Sequence, residues 1–157
     1  MSRRKKRIER EIILDPKYNS ELIARVINAM MRKGKKSTAE RIVYTAIEEI
    51  KVKKPEGDIL EIVTTSINNM KPRVEVKSRR VGGATYPVPT DINARRQLAL
   101  ALRWLVQYAS ARRGLGMGKA VAAELLEAYE GQGNVIKKRD DTHKMAQANK
   151  AFAHYAW

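Results

Sequence analysis

Apolar residues recur every three to four positions through most of the 157-residue chain. This is the spacing of one face of an α-helix, so the pattern predicts a mainly helical protein. Breaks at Gly and Pro divide the pattern into six helices. Their expected bounds are Leu22 to near Gly34, Ser37 to about Val52, Asp58 to Pro72, Thr90 or Asp91 to Gly114, Gly118 to Tyr129, and about Asn134 to Ala151.

Side chains that can cap a helix precede several of these stretches. The expected N-caps are Asn19 or Ser20 for the first helix, a capping box of Ser37 with Glu40 for the second, Asp58 for the third, and Thr90 or Asp91 for the fourth.

The period changes to two between the third and fourth helices. Val74 and Val76 alternate with polar residues, and Gly82-Gly83 provides a turn that permits positive φ. Pro87 and Pro89 cannot donate to a strand ladder, so the return strand should have no further partner. We therefore expect an all-α fold, a single six-helix domain over residues 1–157, with a two-stranded β-ribbon at 72–89 and a basic arm at 1–14.

Composition excludes several classes of protein. With 43% hydrophobic residues the chain can form a core, and the absence of Cys removes disulfides, thiolate metal sites and cysteine nucleophiles. No apolar stretch approaches the roughly 20 residues of a membrane span, and Glu9 and Glu11 interrupt any signal-like start. We expect a protein without a membrane partner and without a cofactor.

The net charge of +15 is unevenly distributed. Segments 1–10, 32–41, 71–96, 112–119 and 137–144 together carry +19, which leaves −4 on the rest of the chain. Clustered cations of this kind are the footprint of a nucleic-acid binding surface.

Two glycine-containing motifs resemble nucleotide-binding loops but are incomplete. Gly34-Lys35-Lys36-Ser37 lacks the first Gly of a P-loop, and Gly114 to Lys119 lacks the final Gly of a dinucleotide fingerprint and follows a helix. For the first loop we favour an RNA phosphate contact at a helix N-terminus over plain capping. The second is equally compatible with a phosphate clamp or a simple helix break.

The C-terminal region offers two further candidate sites. Asp140, Asp141 and His143 lack the spacing of a metal or acid–base site, so we expect ion pairs there, no metal site and no catalytic residues. The aromatic residues Phe152 and Trp157, together with Tyr155, would form either a clip onto the body of the protein or a contact for a partner protein or base.

Several long motifs resemble the small-subunit ribosomal protein seven family in its bacterial or organellar form. They are KPRVEVKSRRVGGATYPVP from Lys71, Arg95-Arg96, ALRWL from Ala101, DPKYNS from Asp15, GKKSTAERIVY from Gly34, and KKRDDTHKMAQANKAFAHYAW from Lys137. The resemblance covers nearly the whole chain. It implies six helices with a ribbon after the third, and no enzymatic activity.

The resemblance also implies partners and a location. A member of this family is expected to bind the 3′ major domain of small-subunit ribosomal RNA as a primary binder and to nucleate assembly of the subunit head. It should lie in the ribosome, in a bacterial cytosol or an organelle, near the exit-site tRNA and the mRNA, beside neighbouring ribosomal proteins. Pro87 and Ala156 depart from the expected pattern, where Gln and Arg respectively are usual.

The candidate site residues follow from the basic clusters and the resemblance together. The expected ribosomal RNA contacts are Arg3, Arg4, Lys5, Lys6, Arg7, Arg10, Lys33, Lys35, Lys36, Arg73, Lys77, Arg79, Arg80, Arg95, Arg96, Arg112, Arg113, Met117 and Lys119. The residues expected near tRNA, mRNA or a partner protein are Gly82, Gly83, Tyr86, Lys137, Lys138, Arg139, His143, Lys144, Tyr155 and Trp157.

Two other functions are compatible with parts of the pattern. A basic ribbon can also bend duplex DNA, which a competition between duplex DNA and ribosomal RNA would reveal. A nucleotide-hydrolysing enzyme would need an intact phosphate-binding motif, and a phosphate-release assay would detect it.

Overall fold

The computed structural model of the protein describes residues 13–155, and within them it is mostly helical. The elements are α1 Glu21–Met30, α2 Lys36–Lys53, α3 Ile59–Met70, β1 Val74–Val81, β2 Ala84–Asp91, α4 Ala94–Ala111, α5 Met117–Tyr129, α6 Asn134–Ala148 and a 3₁₀-helix, η1, Lys150–Tyr155. The expected fold, helices with a ribbon between the third and fourth, is confirmed.

Helix α5 lies at the centre of the helical body and contacts α2, α3, α4 and α6. The core between these helices is aliphatic: Ile47, Ile67, Leu105 and Val121 are each at most 2% exposed. Burial of a side chain of this size contributes about 1.5–3 kcal/mol, so the core makes a large favourable contribution to the packing of the helices.

Two of the four expected helix caps are present. The Ser20 hydroxyl accepts a hydrogen bond from the Ile23 amide, and the Asp58 carboxylate accepts one from the Leu60 amide. The expected capping box of Ser37 is wrong, because α2 begins one residue earlier and Lys35 occupies the N-cap without a side-chain bond.

The expected cap of α4 is also wrong, because the second strand is longer than the alternation indicated. Thr90 and Asp91 pair with Glu75 and Val74 at the end of the ribbon, so they belong to β2. The cap is Asn93 instead, whose side chain accepts from the Arg96 amide.

The ribbon is a two-stranded antiparallel sheet within the described part of the chain. Gly82 and Gly83 form its turn with φ of 57° and 89°, as their sequence predicted. Val88 is fully buried and Glu75 is 8% exposed, so one face of the ribbon packs on the body. Pro87 and Pro89 lie opposite Ser78 and Val76 on the other face.

The C-terminal segment departs from the expected long helix. Helix α6 ends at Ala148, and η1 continues from Lys150 to Tyr155. No helix among residues 13–155 is long and apolar enough to cross a membrane.

Candidate nucleic-acid interface

A cluster of exposed cations surrounds the start of α2. Lys33 and Gly34 adopt φ of 52° and 74°, and this left-handed turn reverses the chain just before the helix. Lys33, Lys35 and Lys36 are exposed there, and the first turn of α2 carries no side-chain cap. Lys36 pairs with Glu40 at 3.8 Å. Uncapped amides beside ammonium groups form a favourable environment for a phosphate.

The ribbon presents cations on both of its faces. Arg79 lies opposite Tyr86 on the face that packs toward η1, whereas Arg80 lies opposite Thr85 on the other face. Arg80 is exposed, and Arg79 is half-buried. The ribbon can therefore offer Arg80 and its Gly82-Gly83 turn to a polyanion while its other face stays packed on the protein.

A carboxylate network fixes the base of the ribbon to α4. The Glu75 carboxylate contacts Lys77 Nζ at 2.9 Å and a terminal nitrogen of Arg96 at 3.1 Å. Burial raises the pKa of Glu75, but hydrogen bonds from Lys77 and Arg96 outweigh it and hold the pKa below its usual value. Two of the predicted RNA contacts thus already have a structural partner.

Arg112 is also held within the fold, at the end of α4. Its guanidinium contacts Glu124 at 2.7 Å and Glu127 at 2.6 Å, both on α5. Hydrogen bonds to Glu127 and Glu124 outweigh burial and raise the pKa of Arg112. Arg113, the next residue, is exposed. The predicted RNA contact is therefore better supported for Arg113 than for Arg112, whose cation already balances a buried carboxylate.

The glycine-containing loop before α5 breaks the chain between two helices. Gly114 adopts φ of 79°, and a Cβ at Gly118 would lie 3.0 Å from the Thr45 side chain. The glycines therefore end α4 and allow α5 to approach α2 closely. Met117 is half-buried at the start of α5, and Lys119 pairs with Glu49 at 3.6 Å. A phosphate clamp at this loop stays a prediction.

Residues of α6 hold the start of the ribbon. Arg139 donates to the Asn69 carbonyl and pairs with Asp140 at 2.7 Å, so the ion pair expected in this segment is present. His143 Nε2 accepts a hydrogen bond from the Arg73 amide at 3.0 Å. Burial, followed by the charge of Arg139, lowers the pKa of His143.

The remaining cations of α6 face outward to different degrees. Lys137 and Lys144 are exposed and Lys138 is half-buried. They remain available to a partner in a way that Arg139 is not.

The C-terminal aromatic residues pack against the ribbon. The Tyr86 ring lies 5.2 Å from that of Phe152 and 5.6 Å from that of Tyr155, measured between centroids. Of the two alternatives for these aromatic residues, the structure therefore shows the clip onto the body of the protein. A contact with a partner stays a prediction.

A buried carboxylate fixes the point where the chain enters the helical body. Asp15 is 2% exposed and accepts hydrogen bonds from the Tyr18 amide and, at 2.7 Å, from the Tyr44 hydroxyl. Burial and the Asp15 hydrogen bond raise the pKa of Tyr44 to about 12.

Seven of the predicted contacts fall at the two ends of the chain. They lie outside the described residues: Arg3, Arg4, Lys5, Lys6, Arg7, Arg10 and Trp157.

Sequence reasoning missed the acids that organise this surface. Glu75 and Glu124 carry the ion pairs of Arg96 and Arg112, yet no expectation included them. Glu124 could have been noticed, because it is a charged residue within the apolar stretch of α5. Among residues 13–155 no group of His, Cys, Asp or Glu could hold a metal ion.

Comparison with known proteins identifies the family of this helical, basic protein. The profile of the family described as ribosomal protein S7p/S5e matches residues 2–150. The chain therefore belongs to the ribosomal protein S7p/S5e family. It is accordingly a structural, non-enzymatic component of the ribosome.

Its relatives match over their entire length. The chain is 54% identical to small ribosomal subunit protein uS7 of Acidithiobacillus ferrooxidans over 157 residues, covering 100% of both chains. It is 51% identical to the uS7 protein of Thioalkalivibrio sulfidiphilus and 50% identical to that of Francisella tularensis subsp. novicida, again over 100% of both chains.

Proposed function

We propose that the protein is a primary binder of the 3′ major domain of small-subunit ribosomal RNA and that it nucleates assembly of the subunit head. In the finished subunit it lies near the exit-site tRNA and the mRNA path, beside other small-subunit proteins. The separation of charge supports this function most directly: cations concentrate at loops, helix ends and the ribbon, around an aliphatic core.

The mechanism combines neutralisation of phosphates with a fixed shape. Side chains such as Lys35 and Arg80 are exposed and can reach phosphates, whereas Arg96 and Arg112 are tied to Glu75 and Glu124. The internal ion pairs hold the ribbon and the α4–α5 connection in place. A surface whose shape is set before binding suits a folded RNA junction, which proteins recognise mainly by shape and backbone contacts.

Chemical footprinting tests the assignment of the RNA. Small-subunit RNA is probed with and without the purified protein, in the absence of other ribosomal proteins. We expect protections confined to the 3′ major domain. Protections spread evenly over the RNA, or located in another domain, would contradict primary binding at this site.

A competition separates this function from DNA bending. Excess random duplex DNA should fail to displace the protein from the 3′ major domain, because duplex DNA offers phosphates without the shape of the RNA junction. Equal affinity for the two nucleic acids would favour the architectural DNA-binding alternative.

A further inference from the structure

A groove of about 490 Å³ runs between α1 and α4, and its lining includes neither the ribbon turn nor the loop before α5. This volume falls within the range of about 300–1,000 Å³ that is usual for sites of small ligands. Its floor includes the buried side chain of Leu102, and the small side chains of Ala29 and Ala99 leave space above that floor.

Three arginines form the rim of the groove: Arg25 on α1, and Arg95 and Arg103 on α4. Arg95 and Arg103 are eight residues apart, so they are separated by about 12 Å along the helix and by about 80° around its axis, and both line the groove. Neither has an ion-pair partner in the part of the chain that the structure describes. Arg25 is held by Glu21, whose carboxylate accepts from its Nε at 2.9 Å.

We propose that this groove binds one unpaired nucleotide of the RNA, with the base over the apolar floor and the flanking phosphates on the arginine rim. The inference rests on the proposed function, because it assumes that the polyanion is RNA. Unpaired bases are the parts of an RNA that proteins commonly take into apolar or aromatic contacts, and arginine can both stack on a base and bind a phosphate.

The positive charge of the groove favours a nucleotide over an ordinary protein segment as its ligand. None of the lining residues is acidic, and Glu21, the acid that contacts the rim residue Arg25, is already paired with it. A ligand that fills the groove must therefore bring negative charge on both sides of an apolar centre. A nucleotide within an RNA strand has this arrangement, with a phosphate on either side of its base.

Filling the groove tests the proposal without removing any charge. Ala29 and Ala99 are exposed, so Ala99→Leu or Ala29→Leu should leave the melting temperature nearly unchanged while occupying the space for the base. The matched control is Thr64→Leu, which adds an apolar side chain at an exposed position of α3, a helix that does not line the groove.

We expect Ala99→Leu to weaken binding to the isolated 3′ major domain by about tenfold or more, because a base excluded from the apolar floor loses the burial of its own apolar surface. The salt dependence should keep its slope, because no phosphate contact is lost, whereas Arg103→Gln should reduce the slope by about one. Chemical probing should show one unpaired nucleotide that the wild type and Thr64→Leu protect and Ala99→Leu exposes.

The outcomes separate this proposal from the proposed function. If the wild-type protein shows no preference for the 3′ major domain, the proposed function fails. If the wild type binds and Ala99→Leu and Ala29→Leu bind as well as Thr64→Leu, the groove is not a nucleotide site. The same conclusion follows if the two variants keep full RNA affinity but fail to recruit another small-subunit protein, because a protein then occupies the groove.

Discussion

The backbone amide of Arg73 donates a hydrogen bond to Nε2 of His143 at 3.0 Å, across 70 residues of sequence. This contact joins the start of the ribbon to α6. It requires a neutral imidazole, because a protonated ring has no acceptor nitrogen. Burial and the neighbouring charges of Arg139 and Arg73, which outweigh the opposing charge of Asp140, lower the pKa of His143 and favour that neutral form.

The stability of the protein should consequently depend on pH through His143. A histidine with a pKa below its unfolded value of 6.5 binds fewer protons in the folded state. Its contribution is complete above about pH 6.5, and it is lost as the pH falls through the lower pKa of the folded protein. We expect the wild type to lose more unfolding free energy than His143→Gln between pH 7.5 and pH 5.

Urea unfolding of both proteins over this range measures the difference. The Gln side chain can still accept from the Arg73 amide but does not titrate, and His154 is present in both proteins. Parallel curves of unfolding free energy against pH would show that His143 is not the titrating group.

The adjacent residues Arg112 and Arg113 should contribute very differently to the stability of the fold. Arg112→Met leaves the carboxylate of Glu124, 1% exposed, without its counterion, so we expect a loss of about 3–5 kcal/mol of unfolding free energy. Arg113→Met removes an exposed cation and should change stability by less than about 0.5 kcal/mol. Chemical denaturation checks both values, and equal losses would contradict the structural role of Arg112.

The contact between Phe152 and Tyr86 should limit the motion of the ribbon. Phe152→Ala removes a ring contact worth about 0.5–1.5 kcal/mol beyond buried area, so amide hydrogen exchange should accelerate severalfold in β2. Phe152→Leu keeps most of the apolar bulk and should have a smaller effect. Exchange in α3 provides the reference within the same molecule. Unchanged exchange in β2 of the Ala variant would mean that the clip does not restrain the ribbon.

Removal of Arg80 should weaken RNA binding without affecting the fold. Arg80 is exposed near the ribbon turn, and Lys51 is an exposed cation of α2 outside the basic clusters. We expect Arg80→Ala to reduce the salt slope of binding by about one and Lys51→Ala to leave it unchanged, with the melting temperature of both proteins preserved. Filter binding at several salt concentrations measures the slopes. Identical slopes for the two variants would remove the ribbon from the interface.

Local features of the sequence were sufficient for most of the fold but not for the interface. Asp58 caps α3 and Gly82-Gly83 turns the ribbon, because each acts on its immediate neighbours. The cap of α4 was missed because pairing with β1 extends the second strand beyond Pro89. The bond between Arg73 and His143 could not be predicted, since only the packing of α6 brings the two residues together.

Tertiary packing also determines which individual cations are free to bind RNA, so the sequence alone could not identify them. Arg112 and Arg113 are chemically identical in the sequence, and only the position of Glu124 distinguishes them. The groove between α1 and α4 likewise depends on Ala29 and Ala99, which lie on different helices. The prediction of RNA contacts rests on net charge by segment, whereas the tertiary structure determines which of these side chains remain exposed.

The salt dependence of binding to the isolated 3′ major domain tests the central claim most directly. The purified protein and this RNA alone are compared from 50 to 200 mM salt, with a 5′-domain RNA of equal length as control. With about 6–10 phosphate contacts, affinity for the 3′ major domain should fall about a thousandfold or more, and the preference over the control RNA should persist. A flat salt dependence, or equal affinity for the two RNAs, would contradict the account.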